Sequence, residues 1–143
     1  MFIGEFSHSI DTKGRIAIPV KFRLQLSAGA VVTRGLDNCL WVYPKSEWEK
    51  LAEKLATLPI SQSDARAFAR LMLAGAFDLE IDKQGRIVLP QYLRQYANLK
   101  NKAILAGLYN RFEIWDSEIW NKYKKGTEEN SSNIAEHLGN LGV

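Results

Sequence analysis

Two pentapeptides concentrate the side chains of this sequence that could do chemistry: Asp11-Thr12-Lys13-Gly14-Arg15 and Asp82-Lys83-Gln84-Gly85-Arg86, both of the form Asp-x-x-Gly-Arg. An arginine beside a tight turn offers a planar guanidinium fork, which suits guanine edges as well as carboxylates. Lys13 and Lys83 share those turns, where an ammonium neutralises phosphate without reading sequence. The plainer alternative pairs Arg15 with Asp11 and Arg86 with Asp82 across their own turns, an exposed arrangement that adds little stability. Spacing alone leaves the two readings even.

Other chemistry has little to work with. Asp11 and Asp82 are a conceivable carboxylate pair, yet each already has a turn to cap and an arginine four residues on. His8 and His137 stand alone, and Cys39 has no histidine near it in sequence, so it reads as a small buried hydrophobe. There is no Gly-x-x-x-x-Gly-Lys-Ser/Thr loop for nucleotide phosphate and no ligand spacing for a metal. The expectation is a protein with no catalytic residues, no metal, no cofactor and no small-molecule substrate.

The elements that must position these residues are written twice. Gly4, Phe6, Ile10, Asp11, Gly14, Arg15, Ile16 and Pro19 recur in register as Gly75, Phe77, Ile81, Asp82, Gly85, Arg86, Ile87 and Pro90, and Arg23 then matches Arg94. Gly35-Leu36-Asp37-Asn38 is answered by Gly107-Leu108-Tyr109-Asn110, with Leu40, Val42 and Trp48 answered by Phe112, Ile114 and Trp120. Two copies cannot make a solenoid. They predict one pseudo-twofold core.

Each copy reads as strand, turn, strand, short helix and a second hairpin. Asp first and Gly fourth suit a type I turn, the Asp side chain accepting backbone N–H groups. Ile16 and Ile18, like Ile87 and Leu89, alternate with Arg15 and Ala17, or Arg86 and Val88, which predicts apolar residues inward and both arginines outward. Pro19 and Pro90 suit first helical positions, and Gly29 a helix end. Between the copies, Ser46-x-x-Glu49 predicts a capping box for a helix with Trp48, Leu51, Leu55 and Leu58 on one stripe. A second run, Ala65 to Ala74, ends at Gly75. Ser117 to Lys125 predicts a shorter helix closed by Gly126, and the Ile134, Leu138, Leu141 stripe beyond it reads as a frayed tail.

Composition bounds the class. The 143 residues are 46% hydrophobic and 24% charged, the balance of a globular domain rather than a disordered chain. No apolar run approaches the roughly 18 residues of a membrane span, and Met1 to Ile10 lacks the basic and apolar regions of a secretory leader. One cysteine excludes an internal disulfide and predicts a reducing, cytoplasmic setting. The net charge of +3 is only mildly favourable to a polyanion. Residues 1–47 hold six Lys/Arg against four Asp/Glu, whereas residues 75–119 hold six against six. A basic surface must therefore be local.

The doubled Asp-x-x-Gly-Arg-Ile-x-Ile/Leu-Pro motif, its helical spacer and the N-terminal Met-Phe-x-Gly resemble the MraZ family of bacterial transcription regulators over about residues 1–125. The two units resemble AbrB/SpoVT-type DNA-binding domains. The resemblance implies an α+β fold, a duplicated swapped-hairpin β-barrel with flanking helices. Its divisions are a first unit at 5–47, a helical spacer at 48–74, a second unit at 76–119, and a C-terminal helix and tail at 120–143. It also implies a ring-like homo-oligomer, nucleoid-associated in the cytoplasm. Its partner would be double-stranded DNA with tandem G-rich repeats upstream of the division and cell-wall gene cluster, its own promoter included, where it would act as a repressor. The motif places base reading on Arg15 and Arg86, phosphate contact on Lys13 and Lys83, and turn shape on Asp11, Gly14, Asp82 and Gly85. The rival expectation is an oligomeric protein-interaction scaffold without DNA specificity.

Overall fold

The computed structural model describes residues 1–142. The first copy supplies β1 (Glu5–Ser9), β2 (Arg15–Ala17), α1 (Val20–Arg23) with a 3-10 turn after it, β3 (Ala30–Arg34) and β4 (Leu40–Pro44). Two helices follow, α2 (Lys45–Ala56) and α3 (Ser63–Ala69), the latter continued by a π turn to Ala74. The second copy supplies β5 (Phe77–Leu79), β6 (Arg86–Val88), α4 (Gln91–Tyr96), β7 (Lys102–Gly107) and β8 (Phe112–Asp116). Helices α5 (Ser117–Glu129) and α6 (Ser131–His137) complete the order, with a 3-10 turn at Gly139–Leu141.

The copies are exchanged rather than stacked. Six strands form one antiparallel sheet in the order β1-β7-β8-β4-β3-β5, while β2 and β6 pair apart from it as a two-stranded ribbon. Thus β1 of the first copy lies on β7 of the second, and β5 of the second lies on β3 of the first. Both first hairpins are swapped within one chain, and the pseudo-twofold axis runs between β4 and β8 and through the Ile16–Ile87 pair. The sheet stays open at β1 and β5, so the expected barrel does not close by strand pairing.

The alternation in β2 and β6 decides which face meets the core. Ile16, Ile18, Ile87 and Leu89 are buried to within 1% and pack with Phe22 and Leu93, which occupy matching positions of the two copies. Each such side chain contributes about 1.5–3 kcal/mol by burial. Phe22 is the hub on the first-copy side, edge-on to Phe2 and Phe6 at 5.0 and 5.2 Å and stacked on Phe112 at 5.2 Å.

Several helix ends differ from the sequence reading. Pro19 and Pro90 stand just before α1 and α4, in extended backbone, and their carbonyls accept the first helical N–H bonds. Helix α2 starts at Lys45, so Ser46 lies inside it and no capping box forms. The Lys45 N–H donates to the Gly29 carbonyl at 3.0 Å, a tertiary bond that anchors the helix one residue before Ser46. Helix α5 runs through Gly126 to Glu129, started by Asp116, whose carboxylate accepts the Ile119 N–H. Nothing lies within 4 Å of where a Gly126 side chain would be, so the glycine marks no close approach. The expected frayed tail is helical as α6, with Ile134 and Leu138 only partly covered; its last residue, position 143, lies outside the described residues. Trp48 and Trp120 already pack within the chain, on Tyr43 at 6.1 Å and Trp115 at 5.3 Å. Among the described residues, no helix is long and apolar enough to cross a membrane.

Candidate nucleic-acid interface

The ribbon of β2 and β6 carries the two pentapeptides. Its register pairs Arg15 with Val88, Ile16 with Ile87 and Ala17 with Arg86. Residues alternate across a strand, so with Ile16 and Ile87 buried, Arg15, Ala17, Arg86 and Val88 share the outer face. Arg15 and Arg86 are diagonal neighbours there, with backbones about 7–8 Å apart. Two arginines from distant parts of the chain thus share one face, each guanidinium turned back to the aspartate of its own turn.

Each turn is built around its aspartate. Asp11 Oδ1 accepts the N–H groups of Lys13 and Arg15 at 3.0 and 2.9 Å, and Asp82 Oδ1 accepts those of Gln84 and Arg86 at 2.9 Å each. The second carboxylate oxygen accepts the arginine Nε–H, at 2.5 Å for Arg15–Asp11 and 3.0 Å for Arg86–Asp82. These bonds to the charged form, led by the arginine backbone N–H, hold both aspartates below the ordinary carboxylate range. A lowered folded pKa means the caps stay in place at neutral pH and are lost only as pH falls through that lowered value.

The pairing orients the arginines without consuming them. Only Nε is engaged; among the described residues no intrachain hydrogen bond reaches the two terminal nitrogens of either guanidinium, and each side chain is about one-third exposed, 34% for Arg15 and 32% for Arg86. A fork held from behind with both tips outward is prepared for bidentate contact with an external acceptor. Lys13 and Lys83 are exposed on the turns but are not equivalents, since Lys83 matches Thr12 and Gln84 matches Lys13.

A second pair of arginines, seen in the sequence only as a repeat match with no role, supports the turns from beneath. Arg23 Nε–H donates to the Ile18 carbonyl at 2.8 Å, and Arg94 Nε–H to the Leu89 carbonyl at 3.0 Å. Each lies against the other copy's turn glycine: Arg94 at Gly14, Arg23 at Gly85. Ile18 N–H donates to the Gly85 carbonyl at 2.8 Å and Leu89 N–H to the Gly14 carbonyl at 2.9 Å, so the turns interlock. The regular recurrence of Arg23 and Arg94 was the available signal; their partners lie across the swap, where local spacing carries no information.

Gly14 and Gly85 have φ of +83° and +77°, the left-handed region that side chains resist. A Cβ on Gly14 would lie 2.6 Å from the Leu89 carbonyl oxygen, whereas one on Gly85 would meet chiefly the movable end of Arg23. Gly14→Ala should therefore destabilise the fold by roughly 2 kcal/mol or more, from the left-handed penalty plus a backbone clash. Gly85→Ala should cost less. Chemical unfolding of both variants checks this ordering.

Elsewhere the chemistry-bearing side chains stay apart. His8 sits mid-β1, its basicity lowered by burial and by Arg23, and His137 is exposed on α6. Cys39 is buried, its thiol pushed far up by desolvation and by Glu113. No group of three metal-capable side chains occurs among the described residues.

Comparison with known proteins adds a consistent result. One family model, described as "MraZ protein, putative antitoxin-like", matches twice, over residues 1–71 and 72–140. The chain is 49% identical over 143 residues to a protein of Caldanaerobacter subterraneus subsp. tengcongensis, covering all of both chains. It is 52% identical over the same full length to one of Natranaerobius thermophilus and 48% to one of a Thermoanaerobacter species. All three are named "Transcriptional regulator MraZ".

Proposed function

This chain belongs to the MraZ family, and from that membership we propose that it is a transcriptional regulator that binds DNA through the β2–β6 ribbon. The observation that carries the reading is the outer face of that ribbon, with two guanidinium groups fixed by their Nε atoms and free at their tips. Arg to the O6 and N7 of guanine is the commonest specific contact in the major groove, which admits a two-stranded ribbon. Arg15 and Arg86 read bases, and Lys13 and Lys83 neutralise phosphate. Asp11, Gly14, Asp82 and Gly85 hold the arms in shape. The target is tandem G-rich repeats upstream of the division and cell-wall gene cluster, including the protein's own promoter, and the action there is repression. The protein works in the cytoplasm on the nucleoid, as a ring-like homo-oligomer.

A gel shift on G-rich repeat DNA with excess random competitor tests the reading. Retention on the repeats supports it, whereas an assembly scaffold would show no sequence preference. Salt provides a second check. Each neutralised phosphate lowers log affinity by about 0.9 per log unit of salt, so an oligomer using several Lys13 and Lys83 side chains should give a steep negative slope. A flat response would remove the electrostatic part of the reading.

A further inference from the structure

The two arms are near-copies in backbone but not in charge. At the positions flanking the first arm, β1 carries Ser7 and Ser9, and Lys102 lies directly across from Ser9 on β7. At the matching positions of the second arm, β5 and the residue after it carry Asp78 and Glu80; Ala30 pairs with Leu79 as Ala103 pairs with His8, which leaves Gly29, with the Lys45 side chain against it, at the counterpart of Lys102. Both acids are exposed, and they line one groove of about 610 Å³ together with Phe77, Asp82, Arg86 and Val88. Both acids therefore share one stretch of surface with Arg86. The one acid on the first strand, Glu5, is already matched: its carboxylate accepts from Lys124 Nζ and Trp120 Nε1, both at 2.6 Å. The turns themselves are balanced, Lys13 standing against Gln84 and Lys83 against Thr12, so the difference in charge lies in the flanking strands.

We infer that the two arms are unequal readers: Arg15 leads, and Asp78 and Glu80 act as an electrostatic restraint that weakens the contact made by Arg86. The inference rests on the DNA-binding reading above. A phosphate backbone brought against the ribbon comes within a Debye length, about 8–10 Å, of the groove, where two fixed carboxylates repel it and screening is incomplete. The same approach at the first arm meets two hydroxyls in place of the two carboxylates. The repulsion is also directional. It allows Arg86 to engage only where the DNA backbone runs wide of the β5 edge, so the second arm contributes selectivity in docking geometry more than affinity.

The test uses the full-length protein and a fluorescent duplex carrying the region upstream of its own coding sequence, against a scrambled duplex, at several salt concentrations. Arg15→Ala should weaken binding several-fold more than Arg86→Ala. The double variant Asp78→Ser/Glu80→Ser, which installs the first copy's residues, should tighten binding about 2–5-fold near 0.15 M salt, with a larger gain at lower salt. The reciprocal Ser7→Asp/Ser9→Glu should weaken it by a similar factor. All four residues are exposed, and circular dichroism confirms that each variant is folded. Equal losses for the two arginine variants, with unchanged affinity for Asp78→Ser/Glu80→Ser, would overturn the inference and leave the DNA-binding reading standing. A wild-type protein indifferent to the upstream duplex would overturn both.

Discussion

The variant Arg15→Ala/Arg86→Ala is expected to lose sequence-specific DNA binding while keeping its fold. Each lost bidentate contact to guanine costs about 1–3 kcal/mol, or about 5–150-fold in affinity, and an oligomer loses that contribution at every arm it engages. Stability should be nearly unaffected, because the core is anchored by Ile16, Ile18, Ile87 and Leu89 on the opposite face and by Arg23 and Arg94 beneath the turns. The aspartates keep their backbone bonds from Lys13, Arg15, Gln84 and Arg86, so each turn keeps its cap. Arg15→Lys separates charge from shape. An ammonium keeps the positive charge but cannot place two N–H groups on one guanine edge, so this variant should retain binding to random DNA and lose discrimination. Lys13→Ala should do the reverse, weakening all sequences nearly alike and flattening the salt slope by about 0.9 per lost phosphate contact. Titrations on G-rich and scrambled duplexes read all of these. If Arg15→Ala/Arg86→Ala binds as wild type does while folded, the arms are not the site.

Much of this site was legible because its information is local. The Asp-x-x-Gly spacing specifies a turn whatever surrounds it, and the alternation of Ile16 and Ile18 with Arg15 and Ala17 decides which way the arginines face. The competing readings of Arg15, a structural pair with Asp11 or an external contact, turn out not to exclude each other. One guanidinium uses Nε for the first and leaves its tips for the second. The swap was less accessible to residue reasoning, and came instead from the family resemblance. A two-residue period says that β1 has one buried face, but not that its neighbour is β7 rather than β2. The same blindness hid the roles of Arg23 and Arg94, whose contacts cross between copies. It also misplaced the start of α2, where a tertiary bond from Lys45 to Gly29 outweighs the local capping signal of Ser46 and Glu49.

Tandem operator repeats should bind the assembled protein at least about 100-fold more tightly than a single repeat does. Specific recognition requires roughly 4–10 kcal/mol beyond non-specific binding. One ribbon offers two arginine forks at about 1–3 kcal/mol each, which reaches that range only at its lower end. A formal charge of +3 on the chain adds little long-range attraction. Repetition closes the gap, since linking sites through a rigid assembly raises avidity by about 10²–10⁴ when their spacing matches the target. The chain retains apolar surface for such an assembly. Ile60 and Leu73 are exposed beside the α2–α3 groove, at 82% and 37%, and Tyr123 on α5 is 49% exposed, even though Trp48 and Trp120 are used internally. Light scattering coupled to size exclusion gives the assembly state, and titration of duplexes with one, two and three repeats gives the avidity. A stable 16.2 kDa monomer that binds one repeat as tightly as a tandem array would overturn the cooperative reading. Recognition would then have to come entirely from contacts made by a single ribbon.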